Sequence, residues 1–265
     1  MSFMNFSFTS QTSDQGVSHQ FFVLDHPDAP IIPGVLWTPD GASGPRPLVL
    51  LGHGGGQSKT FPGVLARARR LVGECGFAVA AIDAPGHGER TPTAEHERLI
   101  VPLRAAMAAG RPVEPFLTDI NAAMARWTVP EWQATLDALQ KLDHVGPGPV
   151  GYWGISMGGA IGIPLAVAEP RITACVFGLV GAVLTVAASR VTVPLEFLMQ
   201  WDDEAVPRDE ALALFDAFAS TEKTLHANPG LHGQVPRFEV ESTVRFFARH
   251  LKGLRELREL RELRD

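Results

Sequence analysis

The sequence predicts an α/β fold: a mostly parallel, doubly wound sheet with helices on both faces and a helical, lid-like insertion. Three observations carry this. Short, nearly continuous apolar runs alternate with helical patterns, as doubly covered strands and their crossover helices do. The runs end in glycine-rich or acidic segments, and ligands of such sheets sit beyond the carboxyl ends of the strands. Residues 91–131 break the alternation with two amphipathic pieces, Glu95–Ala109 and Leu117–Trp127, interrupted by Pro102, Pro112, Pro115 and Pro130.

In chain order, His19–Leu24 and Ile31–Trp37 read as strands joined by a Pro/Asp turn. Pro47–Leu51 is an apolar run ending in Gly52-His53-Gly54-Gly55-Gly56, and Phe61–Cys75 is a helix with Leu65, Ala68, Leu71 and Val72 on one face. Phe77–Ile82 is a strand leading to Asp83-Ala84-Pro85-Gly86-His87-Gly88. The 91–131 insertion is expected above the strand ends as a lid or pocket wall. Pro149–Trp153 leads to Gly154, and a small-residue helix starts at Met157, with Pro164 expected to kink or shorten it. Ile172–Phe177, Leu195–Gln200 and Lys223–Ala227 are further strands; Arg208–Ala219 and Phe238–Leu251 are helices.

Composition excludes several classes. A chain of 265 residues can bury roughly 70–75% of its unfolded surface. With 45% hydrophobic and 20% charged residues, its bulk is not disordered. The net charge of −6 argues against nucleic acid or anionic membrane as a partner. Ile172–Ser189 carries no charge and reaches the minimum length of a membrane span. Its two Gly and two Thr, with a mean hydropathy of +0.06 for the chain, favour a buried strand followed by an apolar loop. Cys75 and Cys175 stand alone, outside any metal-ligand spacing, as in a reducing compartment. Met1–Gly16 lacks the basic start and apolar stretch of a signal peptide, so a cytoplasmic location is expected.

Gly154-Ile155-Ser156-Met157-Gly158 follows a strand and opens a helix, which is the context of a nucleophile elbow. A serine there projects its Oγ from the sheet, and the helix N-terminus aims amides at a developing oxyanion. The Met157 amide with one from Gly54 or Gly55 would form a two-donor oxyanion hole. No Lys-Ser/Thr pair follows the glycines, so a phosphate loop is disfavoured. Serine needs a base, and the base an orienting acid. In the order Ser…Asp…His, the acid belongs in Trp201-Asp202-Asp203-Glu204, with Asp203 preferred over Asp202. The base belongs after the last strand, at His232 in Gly230-Leu231-His232-Gly233. His53 reads as structural, His87 as a turn residue and His226 as part of a strand.

These motifs together resemble the α/β-hydrolase superfamily over residues 17–252, near its dienelactone-hydrolase-like and small carboxylesterase branch. Dienelactone hydrolases themselves resemble Gly-x-Cys-x-Gly at the elbow; Ser at 156 favours ordinary ester hydrolysis. The resemblance implies a serine carboxylic ester hydrolase acting on small to medium esters through Ser156, His232 and Asp203, with no organic cofactor and no metal. The same triad would serve a peptidase, an amidase or a perhydrolase, and the fold could instead act as a ligand-binding module. Phe116, Trp127, Met157 and residues after Phe177 are the expected apolar pocket lining. The hydrolase domain is read as residues 1–253. Residues 254–265 repeat Leu-Arg-Glu three times and end in Leu-Arg-Asp, with Arg and Glu at helical (i, i+4) spacing. This neutral tail reads as an extension of the preceding helix packing on a second copy of the chain in a homo-oligomer, or as a solvated end.

Overall fold

A computed structural model describes residues 5–26 and 29–252. Residues 1–4, residues 27 and 28, and the repeat tail lie outside them. Nine strands form one sheet: β1 (Asn5–Asp14), β2 (Val17–His26), β3 (Ala29–Pro39), β4 (Leu48–Gly52), β5 (Ala78–Ile82), β6 (Val150–Ile155), β7 (Ile172–Gly178), β8 (Leu195–Gln200) and β9 (Lys223–Asn228). Their order is β1-β2-β3-β5-β4-β6-β7-β8-β9. Pairing is antiparallel from β1 to β3 and between β3 and β5, and parallel from there on. β4, β5 and β8 are buried along their full length, as strands covered on both faces must be.

β1 has no counterpart in the sequence reading. It is exposed almost throughout and carries little apolar patterning. What forms it is the turn: Gln15 and Gly16 both take positive φ, 53° and 79°, the backbone of a type I′ hairpin.

The helices are α1 (Pro62–Cys75), α2 (Ala94–Ala108), α3 (Glu114–Leu139), α4 (Met157–Ala168), the short α5 (Thr185–Ala188), α6 (Arg208–Ala217) and α7 (Phe238–Leu251). Two apolar clusters occupy the two faces of the sheet. One contains Tyr152, Phe177 and Phe197 with residues of α3, α4 and α6; the other contains Val49, Val79 and Leu198 with residues of α1 and α7. No helix among the described residues is long and apolar enough to cross a membrane. The charge-free stretch from Ile172 becomes β7, a 3-10 turn at Ala182–Leu184 and α5.

Three prolines lie within helices. Pro102 lies inside α2, Pro130 inside α3 and Pro164 inside α4. An interior proline removes one hydrogen bond and costs ~3 kcal/mol or more. Burial of neighbouring apolar side chains outweighs that cost: Leu103 and Ala106 in α2, Met124, Trp132, Leu136 and Leu139 in α3, and nearly every residue of α4 from Met157 to Leu165. α3 therefore does not stop at 131. Its first half belongs to the insertion and its second half covers the sheet, Trp132 packing edge-on against Tyr152 with ring centroids 6.2 Å apart.

Candidate active site

Ser156 sits between β6 and α4 with φ 55° and ψ −126°, a backbone conformation that costs a non-glycine residue about 1–3 kcal/mol. The close packing around it explains the glycines. A Cβ on Gly158 would come within 2.4 Å of Gly52 O, and one on Gly154 within 2.5 Å of Gly158 O. Tyr152, the only tyrosine of the chain, donates its hydroxyl to Gly158 O at 2.7 Å and braces the turn from beneath.

His232 comes from the loop after β9. Its Nε2 lies 2.9 Å from Ser156 Oγ and its Nδ1 2.8 Å from Asp203 Oδ2. A carboxylate only accepts, so the ring proton sits on Nδ1, and Nε2 accepts from the serine hydroxyl. The Asp203 side chain is 2% exposed. Its Oδ1 also accepts from the amides of Ala205 and Val206, at 2.8 and 2.9 Å. Burial pushes its carboxyl up, but the bonds from His232 and the two amides outweigh this and hold it below its ordinary value.

The two neighbouring acids hold the backbone of the His232 loop. Glu204 Oε2 accepts from the His232 amide at 2.8 Å, and Asp202 Oδ2 from the Gly230 amide at 3.3 Å. Sequence reasoning left Glu204 without a role, since three consecutive acids look alike until the loop closes on them.

At the helix start, the Met157 amide occupies the first position of α4, where an N–H has no intrahelical partner. The glycine loop separates the two remaining candidates. The Gly54 N–H donates to Gln57 Oε1 at 3.1 Å, whereas Gly55 N–H makes no hydrogen bond among the described residues. His53 is 2% exposed and accepts at Nε2 from the Ala84 amide at 3.1 Å; its Nδ1–H donates to Gly54 O at 2.9 Å. It thus ties the loop after β4 to the loop after β5, and burial lowers its pKa to about 4. A second tie runs parallel to it. Asp83, wholly buried, accepts from the Lys59 amide at 2.7 Å and from its ammonium at 2.6 Å, and Lys59 also pairs with Glu89.

The insertion lies against this end of the sheet. Leu103, Ile120 and Met124 share a core cluster with Met157, Val180 and Leu184, and Phe116 and Trp127 pack on it. His87 bridges to the insertion, its ring centroid 5.3 Å from that of His53 and 5.8 Å from that of His96 in α2. Arg90 forms a double hydrogen bond with Glu131 of α3, both at 2.7 Å.

Residues 48–265 match the model of a family described as the alpha/beta hydrolase family. The chain belongs to it. The hydrolase is 35% identical to a cold-adapted esterase from an Arctic intertidal metagenomic library, with 93% of this chain and 100% of that one covered and a TM-score of 0.75. It shares the fold of an acetyl xylan esterase from Paenibacillus sp. R4 at 17% identity, with coverages of 94% and 89% and a TM-score of 0.68. It also shares the fold of Est1E from Butyrivibrio proteoclasticus, at 17% identity, coverages of 91% and 99% and a TM-score of 0.62. No curated protein matches the chain.

Proposed function

We propose that the hydrolase is a serine carboxylic ester hydrolase that works through an acyl-enzyme on small to medium esters. The observation that carries this reading is the continuous hydrogen-bond chain from Asp203 through His232 to Ser156. His232 Nε2 takes the Ser156 proton as Oγ attacks the ester carbonyl. The oxyanion settles between the amides of Met157 and Gly55, because the Gly54 amide is committed to Gln57. His232 then protonates the leaving alcohol, and afterwards activates the water that releases the acid. Asp203 keeps the ring proton on Nδ1 and stabilises the imidazolium that forms.

The esterase neighbours support ester over amide cleavage, the 35%-identical one most directly. Leu103, Ile120, Met124 and Leu184 belong to the same apolar cluster as Met157, which is in keeping with an apolar acyl group.

The test is hydrolysis of p-nitrophenyl acetate against an aminoacyl p-nitroanilide, with fluorophosphonate labelling. Ester turnover, labelling of the wild type and loss of both in Ser156→Ala are expected. Full activity in Ser156→Ala would overturn the mechanism. Preference for the anilide would make the enzyme an amidase, and absence of labelling and turnover would make the fold a binding module.

A further inference from the structure

A polar cluster that the proposed reaction does not use lies on the face of the sheet covered by α7. Glu196 of β8, His226 of β9 and Glu239 in the first turn of α7 offer ligand atoms all within 4.8 Å of one another. The register explains the meeting: Glu196 pairs with Thr224 and Leu198 with His226, so Glu196 and His226 rise on the same face.

Glu239 is fully buried. Its Oε2 accepts from His226 Nδ1 at 2.8 Å and its Oε1 from Asn228 Nδ2 at 2.8 Å. In the neutral ring the first bond puts the proton on Nδ1 and leaves a lone pair on Nε2. That lone pair faces Glu196 Oε2 at 3.6 Å, beyond hydrogen-bond range. Glu196 is 4% exposed; Oε2 accepts from Ser242 Oγ at 2.8 Å, and Oε1 accepts nothing among the described residues. Burial pushes the Glu196 carboxyl up, partly opposed by Ser242, His226 and Arg245. Glu196 Oε1 is thus a buried acceptor without a donor among the described residues, which carries a desolvation cost.

A cation on the Glu196 carboxylate would offset that cost. Two ligand atoms on a tetrahedral ion with bonds of ~2.1 Å stand about 3.4 Å apart, close to the separation of Nε2 and Oε2. A carboxylate holding the far nitrogen of a ligating histidine is the usual support of such sites, and Glu239 does this to His226. A groove of about 200 Å³, lined by Glu196, Glu222, Ser242, His250 and the arginines Arg245 and Arg249, reaches the Glu196 side of the cluster. We propose that Glu196 and His226 Nε2 bind a divalent transition-metal ion, zinc foremost, with Glu239 orienting the imidazole and waters completing the coordination. One imidazole nitrogen with carboxylate and water oxygens is a donor set that zinc accepts. Bound there, the ion would fasten the β8–β9 edge to α7.

Zinc chloride titrated into the chelator-dialysed full chain tests this, with metal content and calorimetric affinity as readouts. His232 is a rival zinc ligand, so His232→Ala is measured beside Glu196→Gln, His226→Gln and Glu239→Gln. One equivalent is expected on the wild type and on His232→Ala, with a rise in Tm on both. Binding should be lost in Glu196→Gln and His226→Gln and weakened roughly 10–100-fold in Glu239→Gln. Should His226→Gln misfold by circular dichroism, the isosteric Glu196→Gln decides. Absence of zinc uptake by the wild type overturns the proposal, as does uptake that survives Glu196→Gln but disappears in His232→Ala.

Discussion

The loop after β9 separates two histidines built on one plan. His226, before it, and His232, within it, each donate Nδ1–H to a buried carboxylate at 2.8 Å, Glu239 and Asp203 respectively. Each therefore presents a lone pair at Nε2. The difference lies beyond the ring. His232 meets a serine hydroxyl at 2.9 Å, whereas His226 meets a second carboxylate at 3.6 Å. A hydroxyl supplies a proton to be taken, as the proposed base requires. A carboxylate supplies none, as the proposed cation site requires. The orienting acid sets the tautomer in both; the third group sets the chemistry.

The comparison breaks most visibly at the serine. Ser156→Ala and His232→Ala should each lower ester turnover roughly 10⁴–10⁶-fold, while His226→Gln leaves it little changed. Steady-state kinetics on p-nitrophenyl acetate separates them. Next come the acids. Asp203→Asn should cost about 10⁴ in turnover by favouring the wrong tautomer. Asp202→Asn should cost less than about tenfold, since it gives up one 3.3 Å bond to the Gly230 amide. Equal losses in the two would remove Asp203 from its role.

A third histidine sharpens the contrast because it has no carboxylate at all. His53 is held by backbone groups alone and its pKa is lowered to about 4 by burial. Between pH 6.5 and about 4 the unfolded chain takes up the proton and the folded one does not. Stability should therefore fall as pH drops through this window, by about 3 kcal/mol when complete. Urea unfolding at pH 7 and pH 4.5 measures it, and His53→Gln should flatten the slope. The smallest effect is expected from Glu204→Gln, which weakens the bond to the His232 amide: a loss of about 1 kcal/mol or less, seen as a few-fold drop in turnover. A loss as large as that of Asp203→Asn would make Glu204 the orienting acid.

The parts of the molecule legible in the sequence were those where local pattern and tertiary role agree. The apolar runs at 47–51, 77–82 and 195–200 are strands because nothing but a covered sheet accepts them. Ser156 and His232 were legible from the glycines beside them and from the strands before them. Asp203 was separable from Asp202 only weakly, because the distinction is made by an Asx turn onto Ala205 and Val206 that turns one carboxylate inward. Proline chemistry misled at Pro130, where packing carries α3 through the residue read as a break. The Glu196–His226–Glu239 cluster was invisible, since its members come from three elements that meet only in the folded chain.

α3 has a mechanical consequence. Its sheet-covering half is anchored by Trp132, Thr135 and Leu136, all buried, and its other half lies in the insertion, with Pro130 between them. Pro130 leaves the helix one hydrogen bond short at that point, and the double Arg90–Glu131 contact beside it ties the helix to the loop after β5. The two halves are therefore joined at the weakest turn of the helix and braced there from the sheet.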